Sequence, residues 1–319
     1  MLRFVIKRIL WMIPVLFGAV FIVFSINRLS PGDPVAASLG ANYTQEQYDR
    51  VEAEMGLDKP FFVQFYDYVK GIITEFDLGT SYKTKRSVTA EIMERFPTTV
   101  KLALIGCAIT VCIGIPCGVI CATKQYSVAD YIVTVFSLIF ASMPGFWLGL
   151  MMILLFALNL RWLPASGLQT WKSWIMPSIA VGITSIATIT RLTRSSMLDV
   201  IRQDYIRTAR AKGQKESKII TKHAIRNGLI PVVTTIGFQL GIMISGSVVV
   251  ESIFSIPGLG TLITTAVSNQ DYNLIQGCVL VLAAVVCLLN LLIDILYGFI
   301  DPRIQAEFSS KKPQKRGGL

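Results

Sequence analysis

Six stretches of this chain contain no Asp, Glu, Lys or Arg: residues 9–27, 102–123, 131–160, 173–190, 227–250 and 272–293. At about 1.5 Å of rise per residue, each is long enough as a helix to cross a hydrocarbon core of about 30 Å. The pattern therefore predicts an all-α membrane protein with six transmembrane helices. The shortest stretch has 18 residues, so its helix is expected to run on beyond Thr190. Pro144, Pro177 and Pro231 fall within or near the ends of spans, where packed neighbours absorb a kink. A seventh charge-free stretch, 252–270, is broken by Pro257-Gly258-Leu259-Gly260 and diluted by Ser, Thr, Asn and Gln. It reads as a loop with a short helix beside the membrane surface.

The polar segment between the first two spans has its own periodicity. Thr44 to Gln47 has capping-box spacing and opens a predicted helix that Gly56 ends. From Pro60 an aromatic run sets Phe61, Phe65, Tyr68 and Ile72 on one helical face. That stripe suits the core of a small subdomain or a surface lying on the bilayer. A third short helix is expected over 88–95, leading to Pro97.

Composition agrees with the pattern. The 319 residues are 53% hydrophobic and only 16% charged, with a mean hydropathy of +0.58, against about 25% charged in typical soluble chains. Orientation follows from Lys and Arg. With the N-terminus inside and six spans, the cytoplasmic segments collect 19 of the 30 basic residues, ten of them between Arg191 and Arg226. A seventh span would put the basic tail outside. The start resembles a signal peptide, but its apolar part is too long and no small-residue cleavage pattern follows. An uncleaved first helix is expected. Topology explains most of the positive charge behind the net +10, so no nucleic-acid partner is expected.

Candidate chemistry is sparse. Cys107, Cys112, Cys117 and Cys121 lie in one span and Cys278 and Cys287 in another. Without His or carboxylate companions they read as small packing residues. Asp294 is the one ionisable residue inside the six charge-free spans as extended to the cytoplasmic end. It reads as an interfacial carboxylate paired to a nearby cytoplasmic Arg, which weakens the case for an ion-coupled secondary transporter. The single His, His223, has no Cys or carboxylate at metal spacing, and no Ser/His/Asp set can form across the membrane. No G-x-x-x-x-G-K-[ST] phosphate loop occurs. The chain is expected to be non-catalytic, to bind no metal or cofactor, and to take any driving energy from another protein.

The only large cytoplasmic surface for such a contact is the basic segment 191–228. Within 205–227 seven Lys or Arg stand against one acid, Glu216. Ile206 and Ala209 share a helical face, Ile219 and Ile220 recur after Gly213, and Gly213 lets two short helices meet at an angle. Small residues at Thr208, Ala209 and Ala211 allow a partner to approach closely. A structural or assembly protein needs no such arrangement.

"TARAKG" (208–213 in its "TARAKG" frame) followed by "HAIRNGLIP" (223–231) resembles the coupling motif of ABC-importer permeases of the dipeptide, oligopeptide and nickel type. So do "RLSPGDP" (28–34), "GLDKPFFVQF" (56–65), "DLGTSY" (77–82), "RFPTTVKLAL" (95–104), "LPASG" (163–167), "VVVESIFSIPGLG" (248–260) and "DPR" (301–303). The motif's usual acidic residue is Arg207 here, and its later proline falls on Arg226, with Pro231 five residues on. The resemblance implies a type I importer permease fold with an extracytoplasmic helical insertion between helices 1 and 2. Its parts would be a transmembrane helix (1–28), the insertion (29–97), the permease core (98–300) with coupling loop 191–228, and a cytoplasmic tail (301–319). It implies a multi-pass protein of a bacterial or archaeal inner membrane, with both termini cytoplasmic. The implied partners are a second permease subunit, two ABC ATPases that use ATP and Mg, an extracytoplasmic solute-binding protein and the lipid bilayer. Thr208, Ala209, Ala211, Gly213, Glu216, His223 and Arg226 would meet the ATPases. Pro257, Gly258 and Gly260 would either lie at the outer mouth near the binding protein or form a plain turn. The solute would be a peptide, a nickel chelate or another small molecule.

Overall fold

The computed structural model describes residues 2–29, 32–40 and 42–300, and the expected tail 301–319 lies outside them. The described chain is helical, with one isolated β-bridge between Thr80 and Ser87. Helix α1 (Leu2–Leu29) leads into the insertion, made of α2 (Pro34–Leu39), α3 (Gln45–Glu54) and α4 (Phe61–Glu75). Local chemistry sets these starts. The Asp33 carboxylate accepts the N–H groups of Val35 and Ala36, with Pro34 at the first helical position. Thr44 and Gln47 close the expected capping box, and Gly56 follows the helix with φ +66°.

The aromatic stripe of α4 finds its partner in α1. Phe61 and Phe65 sit 5.2 and 5.3 Å from the Phe24 ring, and Phe65 is also 5.6 Å from Phe17. The insertion is thus welded to the first span and does not close around a core of its own.

Helix α5 (Val88–Thr123) corrects a second expectation. The helix predicted over 88–95 does not end at Pro97. It continues through Pro97, which lies on an exposed face, for 36 residues in all. After it come α6 (Val128–Ser142) and α7 (Gly145–Met152), the latter continuing as a π-helix over Ile153–Asn159. The sequence pattern treated 131–160 as one kinked span. The two halves instead meet at 101°. Met143 is extended (ψ 125°), the geometry forced on a residue that precedes proline.

A 3₁₀ turn (Trp171–Trp174) opens α8 (Ile175–Ile201), which runs eleven residues past Thr190. Next are α9 (Asp204–Ala211), α10 (Glu216–Lys218), a π-helical turn (Ile219–Ala224) and α11 (Ile225–Gly228). The chain returns through α12 (Ile230–Ile253), α13 (Leu259–Ser268) and α14 (Tyr272–Ile300). Five helices are long and apolar enough to cross a membrane, and the bent α6–α7 pair makes a sixth if counted as one span. The stretch 252–270 forms the expected loop and short helix.

The centre of the bundle is the α5–α8 pair. Gly106, Thr110, Gly114 and Gly118 line one side of α5. A Cβ at Gly106 would stand 3.1 Å from the Ser178 carbonyl, and one at Gly118 2.6 Å from that of Thr190. The two helices touch backbone to backbone, as small-residue stripes permit in lipid.

Candidate functional site

The segment proposed to meet a partner is an arm at one end of the bundle. Its first eleven residues, 191–201, belong to α8, so the arm proper begins after Ile201. It hangs on a buried apolar plug of Ile206, Ile219 and Ala224 set against Met197 of α8 and Ala122 of α5. Helix α9 is amphipathic, and Ile206 is its buried residue. Gly213 then turns with φ +74°, and a Cβ placed on it would meet nothing within 4 Å. Glycine is needed there for backbone geometry and not for crowding within the chain.

Polar bonds shape the turn. The Arg210 guanidinium donates to both Glu216 oxygens, at 2.6 and 3.1 Å. Those bonds hold the Glu216 carboxyl below its ordinary range and raise Arg210. The His223 ring nitrogen donates to the Gln214 amide oxygen at 3.0 Å, and Asn227 donates to the Tyr205 hydroxyl at 2.9 Å. The seven residues expected to face the ATPases therefore divide. Thr208, Ala211, Gly213, Glu216 and Arg226 are exposed, whereas Ala209 and His223 are half-buried against the arm itself.

The arm is rooted by a pair that sequence reasoning missed. Arg194 of α8 donates to both oxygens of Asp130 in the first turn of α6, at 2.7 and 2.8 Å. The Asp130 side chain is 5% exposed. Sixty-four residues separate the two, and nothing in the spacing pairs them.

At the opposite end lies a second missed centre. Glu251 falls in the last turn of α12 and is fully buried, so Asp294 is not the only acid within the spanning helices. Ending a span at its first charge hid this. The Glu251 carboxylate accepts the Thr99 hydroxyl at 2.7 Å and the Gly260 N–H at 2.6 Å, with the Ser247 hydroxyl at 3.0 Å. Thr99 in turn accepts the Leu259 N–H at 2.8 Å. Pro257 is exposed, but Gly258 and Gly260 are buried against this carboxylate, where a side chain would collide with it. Gly167 donates its N–H to the Phe254 carbonyl at 2.9 Å. Nearby, buried Asp271 accepts the Ser81 hydroxyl at 2.5 Å and the Leu274 N–H at 3.2 Å, which starts α14. Four motifs scattered along the sequence, contributing Ser81, Thr99, Gly167 and the pair Glu251 and Gly260, thus meet in one knot.

Asp294 pairs with Arg8 of α1 at 2.9 Å. The expected pair with a cytoplasmic Arg forms, and the partner is in the first helix. The six cysteines are free thiols, and no group of three or more His, Cys, Asp or Glu is placed to share a metal among the described residues.

The chain as a whole is similar to proteins of a known family. Residues 114–306 match the family "Binding-protein-dependent transport system inner membrane component", and residues 1–103 match its N-terminal family. The dipeptide transport system permease protein DppB of Alkalihalophilus pseudofirmus is 39% identical over 333 residues, covering 96% of this chain and 100% of the relative. The oligopeptide transport system permease protein AppB of Bacillus subtilis is 39% identical over 316 residues, covering 96% of this chain and 100% of that one. Among solved structures, a chain of the inward-facing MetNI methionine ABC transporter superposes with a TM-score of 0.58 at 17% identity, covering 67% of this chain and 97% of the other. That similarity is one of fold.

Proposed function

The chain belongs to the binding-protein-dependent transport system inner membrane component family, and from that premise we propose that it forms half of the pore of an ATP-driven importer of short peptides. It has the type I importer permease fold and is a multi-pass inner-membrane protein. In this reading a second permease subunit completes the pore, and two cytoplasmic ATPases hold the arms and hydrolyse ATP with Mg. An extracytoplasmic binding protein delivers the solute to the knot end, and both termini are cytoplasmic. The peptide assignment is supported by the relatives, which are named for dipeptides and oligopeptides.

The observation that carries the reading is the arm. It presents an exposed small-residue turn at Gly213, yet its inner face is locked to α5 and α8 by a dry plug. A force applied at the turn therefore reaches the spans without being lost in a floppy connection. Closure of the ATPases would drive the arms together and rock the permeases between inward- and outward-facing states.

The test is uptake of labelled dipeptide and pentapeptide by vesicles holding the reconstituted complex. Uptake should require ATP inside and binding protein outside, and should persist when ion gradients are dissipated. Uptake driven by an ion gradient without the ATPases would overturn the proposal. Single cysteines at Asn42 and Asn269, in a background without native cysteines, should react with an impermeant thiol reagent from outside. One at Gln214 should be protected, and the reverse pattern would invert the topology.

A further inference from the structure

Helix α4 carries two apolar stripes, and α1 covers only one of them. Phe61, Phe65, Tyr68 and Ile72 face inward. Beside them Phe62, Tyr66, Val69, Ile73 and Phe76 recur at spacings of four and three residues, which is a second helical face. In that second stripe Phe62 is 76% exposed, Ile73 69% and Phe76 84%. Asp67, Lys70 and Thr74 fill the remaining, polar side and are exposed too. Phe76 caps the helix in the left-handed region, with φ 52°, where glycine is the usual residue. A bulky apolar side chain held at a strained position and left nearly bare calls for a surface outside the chain to cover it.

The depth of α4 identifies that surface. Charges at the ends of α1 and α14 mark the width of the apolar layer. Arg8 and Asp294 are bonded at the arm end. At the knot end Arg28 follows Arg8 by 20 residues, and Asp271 precedes Asp294 by 23. Those lengths are about 30 and 35 Å of helix, the thickness of a hydrocarbon core. Phe24, Phe21 and Phe17 lie roughly 6, 10 and 16 Å inside the level of Arg28, and all three are ring partners of α4. Phe61, Phe65 and Tyr68 all reach Phe24, at 5.2, 5.3 and 6.3 Å, so α4 crosses α1 instead of running beside it. Ile72 packs on the cluster that holds Ile275 and Cys278 of α14, roughly 6 and 10 Å inside Asp271. Two spans thus agree on one depth, at which α1 also exposes Ile22.

We propose that α4 lies flat within the bilayer leaflet at the knot end, with Phe62, Tyr66, Val69, Ile73 and Phe76 immersed among lipid acyl chains. Asp67 and Thr74 then turn toward the headgroups and water. An amphipathic helix of this kind buries its apolar face about 5–10 Å below the headgroup boundary, which agrees with the depth of Phe24 and Phe21. The insertion between α1 and α5 is therefore in part a membrane anchor and not wholly an extracytoplasmic domain. The proposal rests on α1 and α14 crossing the membrane and not on what the protein transports.

The experiment uses the full chain in phosphatidylcholine liposomes, without native cysteines and with one nitroxide spin label at Phe62→Cys, Ile73→Cys or Thr74→Cys. Power saturation compares collisions with oxygen, which concentrates in lipid, and with water-soluble chromium oxalate. Labels at positions 62 and 73 should favour oxygen and report a depth of about 5–10 Å below the headgroups. The label at position 74 should favour chromium oxalate. Preference for chromium oxalate at 62 and 73 would put the stripe in water and overturn the proposal. Low collision with both reagents would show the stripe covered by protein, such as a second copy of the chain, and would overturn it equally. The oxygen preference at 62 should also survive addition of the partner subunits and the binding protein. Its replacement by protection from both reagents would assign the stripe to one of those proteins instead of lipid.

Discussion

The two ends of the bundle are held by different physics. At the knot, a carboxylate with no exposed surface draws together α5, α12 and the start of α13 through hydrogen bonds of fixed geometry. At the arm, beyond the Asp130–Arg194 pair at its root, two short helices hang on apolar side chains, and their connecting turn stands in open space. A buried polar junction has one arrangement that satisfies all its members, and any other leaves a group unbonded. An apolar plug is held by burial and dispersion, which are not directional, so it stays seated on the spans while the turn beyond it can adapt. The knot is therefore built to hold a shape, and the turn of the arm is left free to change one.

The sharpest way to break this comparison is Glu251→Leu. It removes the common acceptor and leaves the Gly260 N–H and Thr99 hydroxyl buried without it, so a loss of about 3 kcal/mol in unfolding free energy is expected. Chemical unfolding of the purified chain measures this, and a neutral result would mean that the knot does not hold that end. Asp130→Ala should cost about 2 to 3 kcal/mol, because it strands the Arg194 charge at the root of the arm. Replacing both members, Asp130→Leu with Arg194→Met, should recover much of that loss in the same assay.

Gly213→Val should be milder for stability, about 1 to 2 kcal/mol from placing a β-branched residue at positive φ. It should nevertheless abolish dipeptide transport and solute-stimulated ATP hydrolysis in the reconstituted complex, while Lys215→Ala, on the exposed face, leaves both near wild type. Normal transport by Gly213→Val together with failure of Lys215→Ala would mean that the arm works through charge and not through shape.

The smallest effect concerns Arg210 and Glu216, both more than a third exposed, whose pairing is worth a few tenths of a kcal/mol. Glu216 is depressed in the folded arm. Its contribution is thus complete above the ordinary glutamate value of about 4.3 and disappears as pH falls through the lower folded value. Hydrogen exchange in 204–218, corrected for its intrinsic pH dependence, should stay level from about pH 6 to 8 and show protection lost only in acid.

The spans, the capped helix at Thr44, the short helix after Pro257 and the turn at Gly213 were all legible in the sequence, because each is written in neighbouring residues. What escaped depends on distance. Thr99 and Glu251 lie 152 residues apart, and neither has a periodic signature. Pro97 lies inside the continuous helix α5, yet the span that contains Pro144 is broken by 101°. The difference lies in what surrounds them, which only the folded chain supplies. The arm was found as a surface, but which of its residues turn inward, as Ala209 and His223 do, required its three-dimensional course.

Helix α5 carries Thr99 toward one end and Ala122 at the other, along 36 residues. At about 1.5 Å per residue it is a rod some 54 Å long, well beyond the hydrocarbon thickness of about 30 Å. A tilt of about 5° about its arm end would sweep the far end through roughly 5 Å on that length. That is about the diameter of an amino-acid backbone. Gating at this scale demands no bending of the helix and no melting of the knot. It would need only leverage on α5, which the small-residue seam holds backbone to backbone against α8.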